Sequence, residues 1–216
     1  METLNIKRMN KKSIVLVGMS NVGKSYWREK FAQAGFQPFW CDDKIEARLE
    51  PLLKKFGYSG IEDVARWMGQ PYESQSPQNQ NLYLEEEIEV MKEAINTLRS
   101  GTKPVVVDTT GSVIYTGDEI LKELRELATI VMLDAPQSLQ TELYQKYLAE
   151  PKPVIWGDIF VPLPGETKEE SLARSYPLLL KSRDGRYRAL AHKVLDYHEL
   201  RQPAFTVQNF LEKIIS

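Results

Sequence analysis

Residues 18–25 read GMSNVGKS and fit G-x-x-x-x-G-K-[ST]. In this pattern backbone N–H groups cradle phosphate oxygens, a lysine reaches the β/γ-phosphates and a hydroxyl meets Mg²⁺. The flanks supply the context that the motif requires. Ser13 to Val17 (SIVLV) is a short apolar run ending in the loop, and Ser25 to Ala34 (SYWREKFAQA) has helical spacing through Trp27 and Phe31. Strand, glycine loop and helix in that order form an anion site at a helix N-terminus. Gly18, Asn21, Val22, Gly23, Lys24, Ser25 and Tyr26 are the candidate nucleotide-binding residues, with Ser25 on the metal.

Working outward, a second β-type stretch (FQPFWC, residues 36–41) leads into DDKIEARLEPLLKKF, and Gly57 and Gly60 punctuate the chain before IEDVARWM, whose Trp67 and Met68 are expected in the core. The polar run GQPYESQSPQNQN (69–81) is expected to be a mobile loop. Beyond it, LYLEEEIEVMKEAINTL (82–98) reads as a helix with Leu84, Ile88, Met91, Ile95 and Leu98 inward and its glutamates on a solvated face. Apolar runs at 104–108 (PVVVD) and 130–133 alternate with helices at 118–127 and 138–148. A helix over 169–191, a fifth strand-like run at 193–196 and a last helix near 207–215 close the chain. This alternation predicts an α/β, phosphate-loop NTPase-type three-layer sandwich with a central parallel five-stranded sheet, all in one unit spanning 1–216. EPKPVIWGDIFVPLPGE holds four prolines and two glycines and cannot be regular helix, so residues 150–166 are a lid candidate.

With 216 residues the chain can build one sizeable core. A net charge of −2 with scattered Lys and Arg argues against nucleic acid as a partner. No window approaches the length of a membrane span, and METLNIKRMNKKS has no apolar stretch of signal length. A cytoplasmic monomer is expected, an organelle-resident mature form being the alternative. The single cysteine, Cys41, rules out an internal disulfide or thiolate metal cluster and reads as a small buried hydrophobe. His192 and His198 flank the fifth strand, far from any motif, and read as structural.

The loop spelling NVGKS and the DTTG at 108–111 invite a GTPase, whose switch senses the γ-phosphate through D-x-x-G. A guanine-selective protein also needs N-K-x-D after a later strand, where this chain has IVMLDAPQ. Other motifs fit a kinase. D-x-x-I-E-x-R (Asp42, Ile45, Glu46, Arg48) follows the second strand, VVVDTTGS ends the third, KPVI (152–155) lies in the lid candidate, and RDGRYRALAHKVLD (183–196) spans a helix and strand near the end. In this order the sequence resembles shikimate kinases and related small-metabolite kinases, from about residue 14 to 196. Departures are visible. Trp40, Cys41 and Asp42 stand where the family has D-[ST]-D, and Tyr83, Leu84 and Glu87 fall on its F-R-x-x-E. Thr110 and Ser112 replace two glycines of its glycine triplet.

The resemblance implies an ATP- and Mg²⁺-dependent transfer of phosphate to a hydroxyl of a small metabolite, which could be shikimate. Lys24 neutralises the β/γ oxygens, and Ser25 with Asp108 organises the metal, a strand-end Asp being able to replace the lost carboxylate. Alternatively Asp108 caps the glycine turn. Asp42 orients or deprotonates the acceptor hydroxyl; Asp43 could do so instead, or either acid could cap the helix. Gly111 and Arg183 bind the acceptor in this reading, while Lys152 closes over the phosphates from the lid. A non-catalytic nucleotide-binding module is the remaining alternative.

Overall fold

In a computed structural model, residues 12–215 are described; the N-terminal segment read above for a targeting signal lies almost wholly outside them. The chain runs β1 (Ile14–Val17), α1 (Lys24–Gln33), β2 (Gln37–Trp40), α2 (Cys41–Leu53), α3 (Ile61–Met68) and α4 (Ser76–Ser100). It continues β3 (Val105–Asp108), α5 (Asp118–Leu127), β4 (Thr129–Leu133), α6 (Gln140–Ala149), α7 (Lys168–Leu190), β5 (Lys193–Leu195) and α8 (Val207–Ile215). The strands form one sheet in the order β2-β3-β1-β4-β5, and every pairing is parallel. The expected α/β phosphate-loop sandwich is therefore the fold.

The sheet is parallel because each strand returns through a helix, and its three central strands are buried and apolar almost throughout. Ile14 to Val17, Val105 to Val107 and Ile130 to Leu133 are all buried, as strands covered on both faces must be. Trp27 and Phe31 of α1 pack on Phe210 of α8, each at 5.0 Å between ring centroids. Helix α4 lies against α2, α5 and β3, and α7 against β4. Trp67, Met68 and Cys41 are in the core as expected. His192 is a stitch at the sheet edge: its Nδ1 accepts from the Ile130 amide at 2.9 Å.

Register places the site. Asp108 is aligned with Leu16 on one side and Trp40 on the other, so β1, β2 and β3 end together on one edge. Everything that follows those strands, including the glycine loop, the start of α2 and the DTTG turn, leaves from that edge. Open parallel sheets bind ligands there, where the chain diverges to either side.

Two expectations are corrected. The polar run 69–81 is not a loop throughout, since α4 starts at Ser76. Pro77 in its first turn lacks the N–H that a helix start leaves unpaired anyway, and the side chains beyond it are engaged: Gln80 Nε2 donates to Ser76 Oγ at 2.9 Å, Gln80 Oε1 accepts from the Trp156 amide at 2.7 Å, and Asn79 Nδ2 donates to the Trp67 carbonyl at 2.6 Å. These amides tie α4 to α3 and to the Pro-rich segment. The inward face of α4 also differs: Tyr83, Glu87, Val90, Met91, Ala94, Ile95 and Leu98 are buried, whereas Leu84 and Ile88 are half-buried.

Glu87 is thus not on a solvated face; it is 0% exposed. Its carboxylate accepts from Thr110 Oγ1 and, at 2.6 Å, from Ser112 Oγ. Burial outweighs these hydrogen bonds and pushes the carboxyl up to about 7. A carboxyl whose folded value exceeds its unfolded one holds its proton more tightly in the fold. Its contribution to stability is complete below about pH 4.5 and is lost as pH rises through about 7, a change of about 3 kcal/mol. Glu87→Gln should flatten the decline of Tm between pH 5 and 8 and make the variant more stable than the parent at pH 8. An unchanged Tm-against-pH profile would mean that Glu87 stays ionised in the fold.

Candidate active site

At the C-terminal edge of β1 the chain turns through Gly18, φ 141°, where a Cβ would meet the Leu133 carbonyl oxygen at 2.7 Å. Asn21, φ 66°, is left-handed, and Gly23, φ 107°, caps α1. These conformations turn a loop of amides toward the start of α1, an arrangement suited to phosphate. Lys24 Nζ donates to the Gly18 and Met19 carbonyls at 2.9 and 2.8 Å, curling back over the loop. Burial lowers its pKa, opposed by Asp108 and Asp42. Val22 is buried, and its carbonyl accepts from Arg201 Nη1 at 3.2 Å.

The loop forms one wall of a cleft of about 440 Å³. Ser20, Asn21, Gly23, Lys24, Ser25 and Tyr26 line the phosphate side. The far side is built by Asp42, Asp43 and Glu46 of α2, with Ile61, Tyr83, Thr110, Gly111, Lys152 and Pro153, while Asp108 lies at the end of β3. Nearly every residue singled out in the sequence thus meets in one place, although they span more than 130 positions.

Asp108 is 5% exposed, hydrogen-bonded to the Ser25 hydroxyl and paired with Arg28 Nη1 at 3.1 Å. Burial raises its pKa, and Lys24, Ser25 and Arg28 pull the other way. Asp42 and Asp43 occupy the first turn of α2, which begins directly after β2 with no side-chain cap, so neither acid caps the helix. Asp42 is exposed at the cleft, with the cleft walls gathered around it. That enclosure pushes its carboxyl up to about 6, with Lys24 opposing and Asp108 adding to the shift. Such a value suits a group that takes a proton near neutrality.

Arg183 lines a small cavity that adjoins the cleft and shares Ser20, Asn21 and Lys152 with it. It is 4% exposed, its Nη2 donates to the Ile155 carbonyl at 2.8 Å, and its guanidinium lies 5.6 Å from the Tyr115 ring centre. It backs the DTTG turn: a Cβ on Gly111 would stand 3.0 Å from Arg183 Nη1 and 3.5 Å from Ser20 Oγ. Tyr187 Oη donates to the Gly111 carbonyl at 2.5 Å. A side chain at Gly111 would therefore crowd the Arg183 guanidinium, which would have to give way by a few tenths of an ångström.

Sequence reasoning missed Arg28 and Arg201; it reached Glu87 only through the resemblance, which set Tyr83, Leu84 and Glu87 on F-R-x-x-E, while the helix reading left the glutamates on a solvated face. Arg28 lies one turn beyond Lys24 and Ser25, a spacing that places it on their side of α1. For Arg201, reaching back from beyond β5, no local pattern gives a signal.

No protein-family model matches the sequence, and no curated protein does. Solved structures do match. A shikimate kinase from Acinetobacter baumannii, in complex with shikimate, is 20% identical, with 95% of this chain and 91% of that one covered and a TM-score of 0.57. One from Bacteroides thetaiotaomicron is 16% identical, with 94% of each chain covered and a TM-score of 0.56. A dephospho-CoA kinase from Campylobacter jejuni is 12% identical, with 94% and 93% covered and a TM-score of 0.52. At these identities the likeness is one of fold: the chain has the phosphate-loop kinase fold that shikimate kinases and dephospho-CoA kinase share.

Proposed function

We propose that this chain is an ATP-dependent phosphotransferase that moves the γ-phosphate to a hydroxyl of a small metabolite. One observation carries the reading: a phosphate loop with its lysine faces an acid of raised pKa, Asp42, across a cleft of metabolite size. A pure nucleotide-binding module has no need of the second feature.

Transfer through a loose transition state demands positioning and charge neutralisation. The amides of residues 18–24 bind the β-phosphate, and Lys24 exchanges its two loop carbonyls for β/γ oxygens when nucleotide enters. Asp42 orients the acceptor hydroxyl and receives its proton, Asp43 standing beside it on the same turn. Gly111 and Thr110 form the floor against which the acceptor rests. Lys152 closes over the transferred phosphate from the 150–166 segment, as a point charge without the fork of arginine. That segment acts as a lid hinged about a fixed middle, because Trp156 is buried and Ile155 and Trp156 are held by Arg183 and Gln80. Arg183 thereby couples lid and DTTG turn and borders the acceptor side, where it shares a small cavity with Ser20, Asn21 and Lys152.

Ser25 and Asp108 fit Mg²⁺: they are hard oxygen donors already in contact, one hydroxyl and one carboxylate. Among the described residues no group of three or more His, Cys, Asp or Glu could hold a metal unaided, so phosphate oxygens must complete the shell. When bound, the ion would neutralise charge developing on the phosphates.

An ADP-release screen of the purified protein against hydroxylated metabolites tests the function. MgATP should be bound and guanine nucleotides should have no advantage; competition titrations in which GTP wins by tenfold, about 1.4 kcal/mol, would overturn the assignment. Asp108→Asn should raise the Mg²⁺ concentration needed for half-maximal turnover and slow the reaction, with the circular dichroism spectrum unchanged. Unaltered magnesium dependence would return Asp108 to a turn-capping role.

A further inference from the structure

Arg183 is a buried cation without a paired anion. It is 4% exposed and forms no ion pair among the described residues. Its hydrogen-bond partners are neutral, the Ile155 carbonyl on Nη2 and the Tyr187 hydroxyl, and its Nε is buried with no partner. Glu87 feels the guanidinium through space, but its oxygens are taken by the hydroxyls of Thr110 and Ser112. Arg28, whose Nε is also unpaired, differs in being bridged to Asp108 and Glu29. Burying a guanidinium without a counter-charge is costly, and a donor left open there calls for a ligand that closes it.

Arg183 borders the acceptor side through Gly111, but the cavity that it lines belongs with the phosphates. That cavity, of about 20 Å³, is shared with Met19, Ser20 and Asn21 of the glycine loop and with Lys152. Ser20, Asn21 and Lys152 also line the main cleft, whereas Asp42, Asp43 and Glu46 do not reach the small cavity. Its one acidic lining residue, Glu150, is exposed to solvent. Where a Cβ on Gly111 would stand, Arg183 Nη1 is 3.0 Å away and Ser20 Oγ 3.5 Å, so guanidinium and glycine loop meet across the DTTG turn. Burial lowers the Lys24 pKa and Arg183 adds to that shift; two cations that repel each other across this loop suit a polyanion between them. The space admits roughly one water-sized group. That is too little for the carbon skeleton of an acceptor and enough for one oxygen of a phosphate whose other oxygens stay in the cleft.

Resting on the kinase reading above, we propose that Arg183 is a further catalytic residue: its guanidinium, with the Ser20 hydroxyl, holds one oxygen of the γ-phosphate during transfer. Arg183 thus serves the nucleotide and not the acceptor to which the sequence resemblance assigned it. Nη2 keeps the Ile155 carbonyl, so the middle of the lid stays fixed, and the remaining donors turn to the phosphate. In the reaction the acceptor oxygen bonds to the γ-phosphorus as the bond to the β,γ-bridging oxygen breaks. The acceptor proton passes to Asp42 and then to water, and ADP departs. Negative charge spreads over the equatorial oxygens meanwhile, and a guanidinium already in place offsets it without reorganising. Because the same side chain holds Ile155, the lid is tied to the phosphate that distinguishes ATP from ADP.

Calorimetric titration with ADP and with a non-hydrolysable ATP analogue, each with Mg²⁺ and without acceptor, isolates the γ-phosphate. Arg183→Ala should weaken the analogue by about tenfold or more, the loss of one charge-assisted hydrogen bond, and leave ADP unchanged. Arg183→Lys keeps the charge without the planar fork and should fall between parent and Arg183→Ala. Ser20→Ala should show a smaller loss in the same direction. Should Arg183→Ala fail to fold, Arg183→Lys and Ser20→Ala carry the same comparison. An unchanged ratio of analogue to ADP affinity would overturn the proposal and return Arg183 to the acceptor. Equal loss of both nucleotides would overturn it too and leave Arg183 as a strut of the lid. A parent protein that binds neither nucleotide overturns the kinase reading and this one together. A γ-phosphate-dependent loss in a protein that releases no ADP with any acceptor overturns the kinase reading alone and leaves the γ-phosphate contact standing.

Discussion

The parallel register of β1, β2 and β3 is the constraint on which the rest depends. Asp108 stands level with Leu16 and Trp40, so three strands deliver a phosphate loop, an acid-headed helix and the DTTG turn to one edge. Because β1 is apolar throughout and β3 is apolar up to its terminal Asp108, their side-chain pattern does little to prevent a slip in register. Close fits at the edge resist such a slip. Gly18 passes so near the Leu133 carbonyl that only a residue without a Cβ can stand there. Thr109 fixes the next strand end, donating from both its amide and its hydroxyl to the Leu16 carbonyl.

Behind that edge lies a second layer of polar contacts that determines the shape of the cleft. Glu87 holds Thr110 and Ser112 from α4, and Tyr187 and Arg183 hold Gly111 from α7. Arg183 and Gln80 then carry the same restraint to Ile155 and Trp156 in the Pro-rich segment. Buried polar groups of this kind are costly unless every member is satisfied, and satisfied ones specify a single arrangement. The Arg183 Nε, buried and without a partner, is the one open valence in that layer among these groups. It lies where the DTTG turn, the glycine loop and the Pro-rich segment converge.

Arg28 gives the proposed metal position its own character. It lies 5.5 Å from the Trp40 ring centre and shares its guanidinium between Glu29 and Asp108. A carboxylate already paired with arginine binds a cation less strongly than a free one, since the arginine must yield part of its attraction. The Asp108 carboxylate is thus held ready but partly neutralised, in keeping with a site that gains its ion together with the phosphates.

What the sequence determined by itself was the phosphate loop, the alternation of strands and helices, and hence the sheet. Those features are written in local patterns: glycines at positions requiring a positive φ, apolar runs of strand length, and helical spacing between them. The convergence of Lys24, Ser25, Asp42, Asp108 and Lys152 on one cleft also follows once the strands are parallel. Only the tertiary structure decided which member of a polar series turns inward. EEEIE offers several equivalent glutamates, and only the phase of α4 against the DTTG turn selects Glu87 for burial. Ser76, Asn79 and Gln80 read as loop because their composition is polar, yet their polar side chains are consumed by partners that lie 4, 12 and 76 residues away. Arg183 illustrates the same limit: its helix and its spacing were legible, but the carbonyl that captures its guanidinium belongs to Ile155, 28 residues earlier, and no local pattern encodes that distance.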